Sequence, residues 1–158
     1  MCQAANDNGG GQVVVSGDKA AVERAVEIAK GKGARRAMLL PVSAPFHCAL
    51  MQPAADAMAE ALAKIAVKPP AVPLVANVLA RPVNDPAEIV TSLVAQVTGT
   101  VRWRESVAFM ANAGVDSFYE VGAGKVLSGL VKRIAAGATG SAIGTPDDVA
   151  AFKAARAR

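Results

Sequence analysis

Short β-branched runs alternate with stretches of helical period along nearly the whole chain, and that alternation restricts the fold to the α/β class. Gln12-Val-Val-Val-Ser16 reads as a buried strand that ends at Gly17. Asp18 stands where a helix N-cap belongs, and Val22, Val26 and Ala29 share one face of the helix it would open. Gly31 and Gly33 supply the backbone freedom of a left-handed C-cap. Arg36–Val42 reads as a second strand, so two strands joined through one helix would make a crossover unit.

The clearest helix follows Ser43-Ala-Pro-Phe-His-Cys48, with Leu50, Ala54, Met58, Leu62 and Ile65 at helical spacing and Pro53 tolerable in the first turn. Lys68-Pro-Pro-Ala-Val-Pro73 stops it. Beyond that the pattern gives a strand over 72–78, helices over 86–96 and 104–113, and a strand over 116–121. A glycine turn, a helix over 126–135, a short strand over 141–143 and a helix over 147–156 complete it. The chain opens at Met1 with a few residues that could themselves be strand, followed at once by the turn Gly9-Gly10-Gly11, so it reads as begun in mid-fold.

Composition bounds the function. Hydrophobic residues make up 53% of the 158, but 35 are Ala and 21 are Val, so the mean hydropathy of +0.32 overstates the core. Disorder is excluded at this hydrophobic content and 19% charge. No apolar run approaches the roughly 18 residues of a membrane span, and Met1-Cys-Gln-Ala-Ala-Asn-Asp-Asn lacks the basic start and apolar stretch of a signal peptide. A soluble, cytoplasmic protein is expected. Cys2, Cys48 and a single histidine form neither a disulfide framework nor a zinc pattern. The net charge of +4 suits an acidic partner, but 4% aromatic residues and scattered basic ones leave little for base stacking, which argues against nucleic acid.

His47 is the residue best suited to proton transfer near neutral pH, and it lies in a loop between a predicted strand and an amphipathic helix. It reads either as a general base or as a cap on the following helix. The hydroxyl and thiol candidates, Ser43, Ser106, Ser128 and Cys48, lack a Gly-x-Ser-x-Gly elbow, and Cys48 reads equally as a small buried apolar residue. Asp56 and Glu60 have the spacing of a solvated helix face rather than of a triad partner. Gly122-Ala-Gly-Lys125 fails the phosphate-loop pattern twice, with Tyr119 and Val126 in place of its Gly and Ser/Thr. It remains either a helix N-terminus open to an anion or a tight strand-to-helix connection.

Val42-Ser-Ala-Pro-Phe-His-Cys-Ala-Leu-Met51, Gln96 and Tyr119-Glu-Val-Gly-Ala-Gly-Lys-Val-Leu127 together resemble the malonyl-CoA:acyl carrier protein transacylases of bacterial fatty acid synthesis. Asn6-Asp-Asn-Gly-Gly-Gly-Gln-Val-Val-Val-Ser-Gly17 is similar to a further stretch of that family. The resemblance implies that His47 is the general base, that the main-chain carbonyl of Gln96 orients it in place of a carboxylate, and that Phe46 bears on the choice of malonyl over methylmalonyl. It implies no bound cofactor, the substrates malonyl-CoA and phosphopantetheinylated acyl carrier protein, and a Ser–His ping-pong mechanism.

The family's serine elbow, its malonyl-binding arginine and its oxyanion donors match nothing in this sequence, so the resemblance covers only the later half of the fold. It implies an incomplete ferredoxin-like small subdomain over 1–42 and the later part of an α/β-hydrolase-like large subdomain over 43–158. A chain of this kind is expected to be inactive alone and to have exposed edges, with the missing N-terminal half as a partner. Two other readings stay open: a complementing subunit, or a non-catalytic module that binds acyl carrier protein through Arg102, Arg104, Lys125, Lys132 or Arg133.

Overall fold

The structure, a computed structural model, describes residues 1–156. The chain forms two compact units, Met1–Asn8 with Gln12–Trp103, and Gly9–Gly11 with the residues from Arg104 onward.

In the first unit β1 (Cys2–Asp7) and β2 (Val13–Gly17) pair as an antiparallel hairpin, with Cys2 opposite Gly17 and Asp7 opposite Val13. A bulge between Ala4 and Asn6 leaves Ala5 without a strand partner and almost fully buried. The turn Gly9-Gly10-Gly11 holds φ values of 76°, 59° and 78°, a run that only glycine adopts at low cost. Helix α1 (Lys19–Gly31) follows with Asp18 at its N-cap, but the Asp18 carboxylate takes the N-terminal ammonium and makes no capping bond. Gly31 lies inside the helix, and Gly33, at φ 87°, supplies the left-handed residue beyond it.

The strand expected over Arg36–Val42 is absent, and with it the early crossover. A strand exists only through the ladder of a neighbour. None of the described residues pairs with this run, whose Met38, Leu39, Leu40 and Val42 side chains remain exposed.

A 3₁₀ turn, Ala49–Met51, leads into α2 (Gln52–Leu62), which carries Pro53 in its first turn as expected. In place of the strand expected over 72–78, only β3 (Leu74–Val75) and β4 (Pro82–Val83) form, a two-residue antiparallel pair. Pro73 and Pro82 lack the N–H groups that a longer ladder requires. Helix α3 (Pro86–Thr98) is capped by Asp85, whose carboxylate accepts from the N–H groups of Ala87 and Glu88 at 3.4 and 3.3 Å. Ala76, Val83 and Ile89 form the buried cluster here, with Val67, Leu79 and Leu93 packed against it, and α2 lies along α3. After α3 the chain returns to the bulge: Val101 N–H donates to Ala5 O at 2.8 Å, Asp7 N–H to Val101 O at 3.0 Å and Thr100 Oγ1 to Ala4 O at 2.6 Å.

The second unit contains the chain's crossover. Strands β5 (Ser117–Val121) and β6 (Thr139–Ile143) are parallel and joined through α5 (Val126–Ile134), with α4, formed by Trp103–Asn112, before them. Val107, Leu130, Val131 and Ala135 are its buried apolar residues. Helix α6 (Pro146–Arg156) opens on a reciprocal cap, in which Asp148 accepts from Thr145 N–H at 2.9 Å and Thr145 Oγ1 accepts from Asp148 N–H at 3.2 Å. Its Phe152 meets Tyr119 edge to face at 5.0 Å, and the Arg156 guanidinium lies over both rings.

Candidate functional site

His47 belongs to the first unit and sits at φ 58°, a left-handed conformation that a residue with a Cβ adopts at a cost of about 1–3 kcal/mol. Several contacts hold it there. Cys48 is fully buried and its thiol donates to Pro45 O at 3.1 Å, while Ala49 N–H donates to Gln3 Oε1 at 2.8 Å and ties the following 3₁₀ turn to β1. The strained backbone turns the half-buried imidazole toward α3, where Nδ1 lies 2.7 Å from the main-chain oxygen of Gln96. A carbonyl only accepts, so Nδ1 carries the proton and Nε2 keeps the lone pair of a base. His47 therefore does not cap the next helix. Cys48 and Met51 hold the N-cap positions of the 3₁₀ turn and α2.

The acceptor is no ordinary loop carbonyl. Gln96 lies in the last turn of α3, where main-chain oxygens have no helical donor and where the helix presents its negative end, equivalent to roughly half an elementary charge. Such an oxygen can do for an imidazole part of what a triad carboxylate does: fix the tautomer and the orientation of the ring. The Gln96 side chain is held as well, its Oε1 accepting from Asn77 Nδ2 at 3.0 Å. Asn77 escaped the sequence reading, because an asparagine between a two-residue strand and a turn carries no periodic signal. The only hint was its place among turn-forming residues ahead of Arg81-Pro82.

The other candidates fall outside this pair. Phe46 adjoins His47 and is half exposed. Cys48 is a buried residue whose thiol is already engaged. Asp56 accepts from Gln52 Nε2 on the exposed side of α2, and Glu60 is exposed there too. Ser43 is exposed, whereas Ser106 and Ser128 are buried in the second unit, where Ser128 Oγ donates to Lys125 O at 3.2 Å. Arg102 Nη1 reaches Leu79 O at 3.1 Å and Val78 O at 3.4 Å, so this guanidinium is occupied within the first unit. Lys132 and Arg133 lie in the last turn of α5, where cations offset the helix dipole.

At Gly122-Ala-Gly-Lys125 the chain fills its own helix N-terminus. The Glu120 carboxylate accepts the Ser128 N–H at 2.8 Å, and hydrogen bonds from the backbone at Ser128 foremost, with further ones at Leu127 and Val126, hold its pKa below the ordinary glutamate value. The tight-connection reading of this turn therefore fits the structure, and the anion reading loses its donors. A carboxyl whose folded pKa is depressed stabilises the fold above its unfolded pKa, and loses that contribution as pH falls through the folded value. Amide exchange at Ser128 is expected to accelerate across that acid window, and Glu120→Gln to be less protected at neutral pH with no such step. Identical pH profiles for the two proteins would refute this.

A model of the family described as acyl transferase domain matches residues 2–142. The chain belongs to the acyl transferase domain family. Among solved structures, the acyl-carrier-protein S-malonyltransferase of Bartonella henselae is 54% identical and superposes with a TM-score of 0.92 over 98% of this chain and 49% of its own. The malonyl CoA-acyl carrier protein transacylase of Salmonella typhimurium is 52% identical over 141 residues, which are 89% of this chain and 46% of that protein. A malonyl-transacylase solved in complex with a type II PKS acyl-carrier protein is 41% identical, with a TM-score of 0.88. The chain thus spans about half the length of these relatives. The architecture of this acyl transferase domain segment is α/β, as its sequence pattern implied, and none of its described helices is long and apolar enough to cross a membrane.

Proposed function

We propose that this chain supplies the base half of a malonyltransferase active site, one that moves malonyl from malonyl-CoA to the phosphopantetheine thiol of acyl carrier protein. The observation that carries the reading is the 2.7 Å contact between His47 Nδ1 and the Gln96 carbonyl. With Nδ1 committed there, Nε2 takes the proton of a serine nucleophile as its oxygen attacks the thioester of malonyl-CoA, and returns it to the departing CoA thiolate. In the second half-reaction Nε2 takes the proton of the carrier thiol as sulfur attacks the malonyl ester, and passes it to the serine oxygen. Imidazolium forms twice, each time against the negative end of α3. No resident cofactor enters these steps, and both substrates are cytoplasmic. Phe46, beside the base, is the residue whose ring excludes an α-methyl group from the acyl pocket.

In this reading the serine and the oxyanion donors lie in the part of the family fold that this chain does not span. One observation supports a second half. The run from Met38 to Val42 is apolar, exposed and unpaired, as a strand deprived of its neighbour would be. The division into a small subdomain over 1–42 and a large one over 43–158 belongs to the same reading.

The test is a chimera that joins the N-terminal half of the Bartonella henselae malonyltransferase to this chain, assayed for malonyl transfer to phosphopantetheinylated acyl carrier protein. The chimera is expected to turn over, and the 158-residue chain alone is expected to take up no label from radioactive malonyl-CoA. Labelling of the chain by itself would overturn the reading, as would a folded chimera without transfer.

A further inference from the structure

The contact between His47 and Gln96 depends on where the last turn of α3 stops, and nothing within α3 fixes that point. Its ladder closes with Gly99 N–H on Ala95 O at 2.9 Å, after which Gly99 is already extended. Terminal turns fray when no partner holds them. Here the partner is the turn between β3 and β4. Ala76 O accepts from Ala80 N–H at 2.8 Å and Leu79 N–H at 3.2 Å, and Ala80 takes a left-handed φ of 53° to close the turn. Arg102 clasps it from outside, with its main-chain N–H on Asn77 O at 2.9 Å and its guanidinium on Leu79 O and Val78 O. The turn then meets the end of α3 twice. Asn77 Nδ2 donates to Gln96 Oε1, and Val78 lies against Gly99 so closely that a Cβ there would fall 3.1 Å from Val78 Cγ1.

We propose that Asn77 is a positioning residue for the base: through the Gln96 side chain it fixes the Gln96 carbonyl that holds His47 Nδ1, with Arg102 as the clasp of its turn. The proposal rests on the malonyltransferase reading, and it separates two roles of Gln96. The main-chain oxygen touches the base, while the side chain, bound to Asn77, anchors that oxygen. Asn77→Leu and Gln96→Leu both keep the carbonyl group but remove the anchor that holds it against Nδ1. If Asn77 acts through Gln96, the double variant is no worse than either single one, because the three proteins lack the same interaction.

The chain's one histidine makes the ring nitrogens of His47 readable by NMR without assignment ambiguity. In the 158-residue chain the wild type is expected to show the Nδ1–H tautomer, and Asn77→Leu, Gln96→Leu and the double variant to show the same shift toward Nε2–H. Asn77→Asp is expected to preserve the wild-type tautomer, since the Gln96 amide can turn and donate to the carboxylate. In the chimera the leucine variants are expected to lose about tenfold to a hundredfold in kcat/KM, the scale of an ångström of misplacement, mostly in kcat. Additive losses, or an unchanged tautomer in Asn77→Leu, overturn the proposal. If Asn77→Leu does not fold, Asn77→Ser, too short to reach Gln96, reads the same loss. A chimera indifferent to His47→Ala overturns the malonyltransferase reading instead, whereas a dead His47→Ala beside a fully active Asn77→Leu overturns only the role of Asn77.

Discussion

Replacing His47 with alanine in the chimera is expected to lower kcat/KM by about 10²- to 10⁴-fold, the span of a positioned general base, while the malonyl-CoA KM changes little. The expectation follows from what the ring is doing. Its Nδ1 is spent on a carbonyl that has no other work, and its backbone is held at φ 58°, where an alanine would sit no more comfortably. A histidine serving as packing has no need of a strained backbone and a fixed tautomer together. A His47→Ala protein that keeps more than a tenth of its activity would remove His47 from the mechanism. Gln96→Ala offers the complementary result, a loss of no more than about tenfold to a hundredfold, because the oxygen that orients the imidazole belongs to the main chain and survives the substitution, and only its anchor to Asn77 is removed.

What could be read from sequence was what is decided locally. The helix that opens at Pro86, and β5, α5 and β6 in series, are set by neighbours a few residues away, and each forms close to where its pattern places it. Helix α2 forms too, but it buries Ala55 rather than the expected stripe, of which Leu50, Met58 and Ile65 stay exposed. The readings that went wrong needed knowledge of a partner. Arg36–Val42 has strand composition but no strand to pair with, so its backbone stays irregular. Asp18 does stand at the N-cap of α1, its main-chain oxygen accepting from Ala21 and Val22 N–H, but its side chain makes no capping bond. The left-handed φ of His47 and the reach of Asn77 to Gln96, 19 positions away, arise from long-range packing and leave no periodic trace. His47 and Gln96 were legible as a pair only through the resemblance, since residues 49 positions apart have no local reason to meet. The structure supplies that reason in the return of the chain along α3 toward β1.

Gly140→Ala and Gly129→Ala are expected to move stability in opposite directions, though both add one methyl group to the same unit. Gly140 lies in β6 opposite Phe118, at the point where the strand passes under α5. A Cβ there would sit 2.3 Å from the main-chain oxygen of Ser128 and 3.0 Å from its carbonyl carbon and Cα. Backbone cannot rotate out of the way as a side chain does, and Ser128 is itself fixed, buried and held by the Glu120 carboxylate. The methyl must push β6 away from α5 or out of register with β5, at a cost of about 3 kcal/mol, the upper range for overpacking. For a chain of this length that lowers the melting temperature by roughly 6–12 °C. Gly129 is the next residue along α5, and a Cβ there meets nothing within 4 Å. Its replacement removes only the backbone entropy that glycine brings to a helix, a gain of up to about 1 kcal/mol. Thermal melts of the two variants beside the wild type decide the matter. A Gly140→Ala protein that melts with the wild type would mean that β6 and α5 do not approach as described, and a destabilised Gly129→Ala would mean that this face of α5 is covered rather than open.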